Sequence, residues 1–186
     1  RAFYADPYFP LKAMKGDFRD IRMCNACVRC FDCAARGRPI HCAVNAEVGF
    51  EAKKLTKADE STNVLIIGGG PAGMEAARVA AGLRGHKVTL CEKNNKLGGN
   101  LLLASIASYK EEINTLTEYL TYQMERLNVN VELGKEATTE NVKASNADVV
   151  IIATGAVPLI PDDISGIRNT KVVSTLDVLD GTADIG

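Results

Sequence analysis

The stretch Asn63-Val64-Leu65-Ile66-Ile67-Gly68-Gly69-Gly70-Pro71-Ala72-Gly73 decides the fold. A short unbroken run of Val, Leu and Ile suits a strand covered on both faces, because alternation is lost when neither face meets water. Glycines break the run, and Ala72–Leu83 follows as an alanine-rich segment of high helix propensity. Lys87–Cys91 reads as the next strand. Tyr109–Leu127 reads as a longer helix, since Ile113, Leu116, Leu120, Met124 and Leu127 recur three or four residues apart and share one face. Asn130–Leu133 and Asp148–Ala153 extend the sheet to at least four strands. Strand and helix in alternation predict an α/β fold, Rossmann-like, with a parallel sheet and right-handed crossovers.

Within the turn, Gly68, Gly70 and Gly73 fit G-x-G-x-x-G, a weak signal alone. Its context strengthens it: the motif follows a strand, opens a helix, and Glu92 ends the next strand 24 residues after Gly68. Gly68 permits a tight turn, Gly70 lets the backbone approach a pyrophosphate, and Gly73 lets helix and strand pack closely. Phosphates then rest on amides at the positive helix N-terminus. Glu92 can accept hydrogen bonds from both ribose hydroxyls and would repel a 2′-phosphate. Pro71, Ala72, Lys93 and Ala137 complete the expected contacts of this dinucleotide site. A glycine-rich turn without a ligand is the alternative reading.

The remaining composition narrows the partners. A net charge of −1 and 46% hydrophobic content describe an ordinary globular chain, without the basic excess that nucleic acid or a membrane surface wants. No apolar run approaches the roughly 20 residues of a membrane helix. Residues 1–7 do not read as a signal peptide, and Arg1 in place of methionine suggests a chain cut from something longer. A cytoplasmic setting is expected. The polar stretch 51–62, which includes Lys53, Lys54 and Lys57, reads as a surface linker. It separates residues 1–50 from a domain spanning 63–186.

Five of the six cysteines fall between positions 24 and 42. A large apolar domain follows and no export signal precedes, so metal binding is favoured over disulfides. Cys24, Cys27 and Cys30 form C-x2-C-x2-C, and Cys42 follows after eleven residues. Such a run can wrap a cubane, with a remote fourth thiolate closing it. Zinc also takes four cysteines, though it more often uses two separate pairs. Spacing favours iron–sulfur and leaves zinc open. It also leaves the register open, because Cys27, Cys30 and Cys33 repeat the same pattern. His41 and His86 read as loop or turn residues, and Cys91 as a small core residue. No Ser/His/Asp or Cys/His nucleophile arrangement is evident.

Two further stretches carry a resemblance. Lys96-Leu97-Gly98-Gly99-Asn100-Leu101 follows the acidic residue, and Ile151-Ile152-Ala153-Thr154-Gly155-Ala156-Val157-Pro158 ends the last strand. Both resemble the FAD-binding half of flavoprotein reductases with two dinucleotide domains. The resemblance implies that Gly99 and Asn100 approach the flavin side of the pyrophosphate, and that the chain leaves the FAD domain at Ala153, Thr154 and Gly155. The segment Cys24–Cys42 with Ala43-Val44-Asn45 is similar to the cluster segment of the dienoyl-CoA reductase, enoate reductase and trimethylamine dehydrogenase family. That family joins an N-terminal, Old Yellow Enzyme-like FMN barrel to an iron–sulfur cluster and an FAD domain. Asp6-Pro7, Lys12, Gly16 and Asp20-Ile21-Arg22 look like the exit from that barrel. Leu97–Ser105, Lys110-Glu111-Glu112 and Ser174–Leu179 look like the dienoyl-CoA reductase type. Ala46 departs from the family's proline.

From this resemblance follow several expectations. Residues 1–22 end a missing barrel, 23–50 form the cluster segment, and 63–186 are an incomplete FAD-type domain. Cys24, Cys27, Cys30 and Cys42 hold a 4Fe-4S cluster, with Cys33 a bystander. The whole enzyme passes electrons from NAD(P)H through FAD and the cluster to FMN, which reduces an activated C=C bond. The barrel and the NAD(P)H domain of the same polypeptide are the partners. Two alternatives stand: an ADP-holding structural domain whose cluster delivers electrons to a partner flavoprotein, and a zinc-binding, nucleotide-responsive module.

Overall fold

The computed structural model describes residues 2–53 and 55–183. Arg1, Lys54 and residues 184–186, which fall within the leading segment, the linker and the last domain, lie outside the described residues. Three short helices occupy the first part: α1 (Ala2–Ala5), α2 (Phe9–Met14) and α3 (Arg29–Ala35), with a 3₁₀ turn at Phe18–Asp20. A sheet and its helices follow as β1 (Asn63–Ile67), α4 (Pro71–Arg78), β2 (Lys87–Cys91), α5 (Asn100–Ala104), α6 (Asn114–Arg126), β3 (Asn130–Glu132), α7 (Thr139–Ala144), β4 (Val149–Ile152) and α8 (Thr175–Leu179).

All four strands are parallel, in the order β3-β2-β1-β4. Val64, Leu65 and Ile66 of β1 are buried, as a centrally placed strand requires. Ile66, Leu90, Met74, Ala77, Leu120 and Met124 form the core between the sheet and helices α4 and α6. β4 lies at the sheet's edge, and its Val149, Val150 and Ile152 are exposed. No helix of the described residues is long and apolar enough to cross a membrane.

The expected helices are corrected at their ends. α4 begins one residue earlier than expected, at Pro71, and its final turn widens into a π-helical turn over Val79–Leu83. Pro71 suits the first helical position because its fixed φ is already helical and no intrahelical N–H is lost. The helix expected from Tyr109 starts in α form only at Asn114, after a 3₁₀ turn at Glu111–Ile113. Tyr109 is 91% exposed with a φ of +64°, so residues upstream of Ile113 lack the apolar face that would hold a helix there.

α6 buries a second face besides its apolar stripe. Tyr119 and Gln123 are buried there, while Thr117, on the other side of the stripe, is buried beside Gly98. The partner of that face is the leading segment: Asp20 accepts hydrogen bonds from Gln123 Nε2 at 2.7 Å and Arg126 NH1 at 2.8 Å. Lys12 Nζ binds Asp6 Oδ2 at 2.7 Å and lies 3.3 Å from Asp20 Oδ2. The Arg22 guanidinium stands 5.5 Å above the Tyr119 ring. Residues 2–22 therefore pack on the dinucleotide domain through buried and half-buried charge-assisted bonds, stronger than fully exposed ones.

The strand–turn–helix at Ile67–Pro71 is sterically exacting. A Cβ on Gly73 would lie 1.9 Å from the Gly68 carbonyl oxygen, and one on Gly68 would lie 2.3 Å from the Ala153 carbonyl oxygen. Backbone rather than flexible side chain fills both places. Gly73→Ala should therefore cost about 3 kcal/mol or more, at or beyond the usual overpacking range, read as a lower urea midpoint.

Acid should loosen the leading segment. Burial alone would raise the Asp6 carboxyl, but Lys12 and the amides of Arg22 and Tyr8 outweigh it and hold the group below its ordinary 3.8. The unfolded chain then binds this proton at a higher pH than the folded one. The stabilisation is complete above about pH 4 and is lost as pH falls through the lowered folded value. Asp6→Asn should flatten that part of the acid-unfolding curve, measured by circular dichroism.

Candidate functional site

The glycine turn is held from three sides. Gly68 N–H donates to the Cys91 carbonyl at 2.8 Å, tying the end of β1 to the end of β2. Gly69 N–H donates to Glu92 Oε2 at 2.7 Å, and Asn94 N–H donates to Glu92 Oε1 at 2.8 Å. Glu92 is only 5% exposed, so its charge is satisfied by these amides rather than by water. On the third side, Gly98 N–H donates to the Gly69 carbonyl at 2.9 Å, and Leu97 packs over Gly69.

This arrangement brings most of the expected nucleotide residues together. Gly68 meets Ala153 and Thr154 at the end of β4, and Gly99 lies against Gly70. Gly155 follows with a φ of +82°, turning the chain away from the sheet. Asn100 opens α5 directly after Gly98 and Gly99, both in positive-φ conformations. Gly70 differs from its neighbours: a Cβ there would meet nothing within 4 Å. Its open side faces away from protein, where a ligand's backbone contact would need it. Pro71 has no N–H, so exposed Ala72 offers the first amide at the start of α4.

Lys93 is exposed beside Glu92. Ala137 lines a cleft of about 850 Å³ along the sheet, with Cys91, Glu132 and Lys135. Cys91 is buried as a core residue should be, and its thiol also donates to Glu132 Oε2 at 3.2 Å. Burial and that carboxylate push the thiol up to about 11, so it stays neutral near pH 7. Its sequence gives no sign of this bond, which needs β3 laid beside β2. His86, expected in a solvent turn, is half-buried and bonds Thr62 through Nδ1.

The cysteine segment runs between Ile21 and Asn45 without a strand. Cys24, Cys30 and Cys42 are half-buried and Cys27 is exposed, all as free thiols. Cys33 is buried on α3, 3% exposed, unlike those four. Cys30 lines an apolar hollow of about 580 Å³ with Tyr4, Val28, Phe31, Ala34 and Ile40. Ala26 and Val28, either side of Cys27, adopt left-handed φ of +53° and +61°. A β-branched residue rarely does so, and such strain collects where a loop must bend around something.

Among the described residues no three Cys, His, Asp or Glu side chains gather closely enough to hold a single metal ion. Thiolates on a cubane each bind a different iron and stand further apart than four on one tetrahedral ion. The donors fit an iron–sulfur group by their chemistry: four free thiols, on a loop bent at Ala26 and Val28, with one thiol facing an apolar hollow.

Residues 62–185 match the family model described as pyridine nucleotide-disulphide oxidoreductase. The bilirubin reductase of Mediterraneibacter gnavus is 42% identical over 96% of this chain, which spans 28% of that protein's length. A solved 2-naphthoyl-CoA reductase complex is 37% identical and superimposes with a TM-score of 0.95, covering 100% of this chain and 28% of its own. The histamine dehydrogenase of Rhizobium sp. 4-9 gives a TM-score of 0.84 at 27% identity, covering 99% of this chain and 29% of its own. The chain thus belongs to the pyridine nucleotide-disulphide oxidoreductase family, and its relatives are the reductases and amine dehydrogenases of the Old Yellow Enzyme-like flavoprotein group.

Proposed function

We propose that this chain is the electron-transfer portion of an NAD(P)H-dependent iron–sulfur flavoprotein reductase acting on activated C=C bonds. The observation that carries the reading is the coexistence, in one chain, of an open glycine cradle at Gly70 and four free thiols on a strained loop. Similarity to a bilirubin reductase and to a 2-naphthoyl-CoA reductase supports the substrate class. A flavin accepts two electrons together and releases them singly, and an iron–sulfur cluster between FAD and FMN carries one at a time.

The chain's own residues then have separate tasks. Gly70 and the amide of Ala72 receive the pyrophosphate at the positive end of α4. Glu92 keeps the turn in shape through Gly69 and retains a second lone pair on each oxygen for ribose hydroxyls. Its buried negative charge disfavours a 2′-phosphate. Gly99, Asn100, Ala153, Thr154 and Gly155 border the flavin side. Cys24, Cys27, Cys30 and Cys42 bind the cluster, and Val28, Phe31 and Ile40 give Cys30 apolar neighbours.

The similarity to histamine dehydrogenase favours one second reading, in which the cradle holds ADP alone and the cluster delivers electrons to a partner flavoprotein. Full-length protein purified without oxygen should contain about four irons and four labile sulfides per chain, with broad brown absorbance. Stoichiometric zinc without labile sulfide would contradict the proposal. Mass spectrometry of the released nucleotide then separates FAD from ADP.

A further inference from the structure

Both necks of the cysteine loop are tied to the same helix end. Arg22 precedes Cys24 by two residues, and its Nε donates to the Ala5 carbonyl at 3.0 Å. Its backbone N–H donates to Asp6 Oδ2 at 3.0 Å, fixing the main chain there as well. Asn45 follows Cys42 by three residues, and its Nδ2 donates to the Tyr4 carbonyl at 2.9 Å. Tyr4 and Ala5 are consecutive residues at the C-terminal end of α1, where carbonyls have no intrahelical partner. Neighbouring Cα atoms are about 3.8 Å apart, so the two anchors lie one peptide from each other. Arg22 is 6% exposed and Asn45 4%, so water cannot readily replace either bond.

The second half of Asn45 has a different job. Its Oδ1 accepts the Glu47 N–H at 3.1 Å, a local turn that shapes only the chain after the loop. The two functions of this side chain are therefore chemically separable: the amide nitrogen reaches α1, and the amide oxygen makes the turn.

We propose that Arg22 and Asn45 are positioning residues for the iron–sulfur group. By capping adjacent carbonyls of α1, they close the loop over residues 23–44 before any metal binds. Thiolates on a loop already closed lose less chain entropy on meeting their ligand, and a bound cluster is harder to release. This inference rests on the cluster reading above and names no new ligand.

Asn45→Asp removes the donor to Tyr4 while keeping an oxygen for the Glu47 amide, and Asn45→Ala removes both. Full-length wild type and both variants, reconstituted without oxygen, are mixed with a ferrous chelator, and the first-order release of iron is followed. Electron paramagnetic resonance of the reduced proteins and titration with ADP accompany it. Both variants should release iron about tenfold faster or more, the range expected for lost supporting contacts around a metal site. Both should also give a broadened cluster spectrum, with ADP affinity unchanged. If Asn45→Asp matches wild type while Asn45→Ala does not, the residue serves only its local turn and the proposal fails. If both match wild type, the clamp fails while the cluster reading survives. Wild type that takes up neither iron nor sulfide overturns the cluster reading and the clamp together.

Discussion

One buried carboxylate governs the shape of the nucleotide half. Glu92 sits at the end of β2, almost wholly out of water, and accepts the amide of Gly69 in the turn that follows β1. A charge in that position is tolerable only if hydrogen-bonded, and the amides of Gly69 and Asn94 supply the bonds. The turn is thereby drawn towards β2. Gly68 and Gly73 can then lie against backbone carbonyls, and the start of α4 is left pointing outward. The cradle exists because an acidic residue on one strand fixes a glycine on the next.

The same logic of buried, charge-assisted bonds joins the two halves of the chain. Asp20 grips Gln123 and Arg126 on α6, and Lys12 bridges Asp6 and Asp20. Arg78, on α4, is bound by both oxygens of Glu75, and Glu47 beyond the cysteines lies 3.6 Å from Arg22 and from Arg78. Burial would weaken the Arg78 cation, but these carboxylates hold it protonated. The cysteine segment thus meets the helix that carries the glycine cradle through a short row of alternating charges. A separate small set of buried apolar residues, Ala5, Ile21, Val44 and Val48, serves the leading half.

Much of the sheet was legible because its signals are local. Asn63–Ile67 and Lys87–Cys91 appear as strands at the bounds read from composition alone, since continuous β-branched runs between glycine or polar turns leave little choice. The glycine spacing foretold the tight turn at Gly68 and the close packing at Gly73. What could not be read depends on distant partners. The second buried face of α6 carries Tyr119 and Gln123, polar enough to pass for surface until Asp20 and Arg22 are brought against it. Helices α1, α3 and α7 are too short to show a period. The left-handed turns at Ala26 and Val28 leave no trace in residue type, because neither is glycine or asparagine. Glu92 was legible as an acidic residue at a strand end, but its grip on Gly69 needed the two strands side by side.

We propose that the turn is built to receive a pyrophosphate and is not merely a compact junction. Gly70 separates these possibilities, because it has an ordinary φ of −75° and open space where a Cβ would stand. A methyl group there costs the free fold little, yet it occupies the path by which the backbone approaches phosphate. The direct measurement is calorimetric titration of full-length Gly70→Ala with ADP, beside its thermal unfolding. The melting temperature should be unchanged and ADP binding weakened by about tenfold or more, some 1.4 kcal/mol. Binding equal to wild type at equal stability would contradict it.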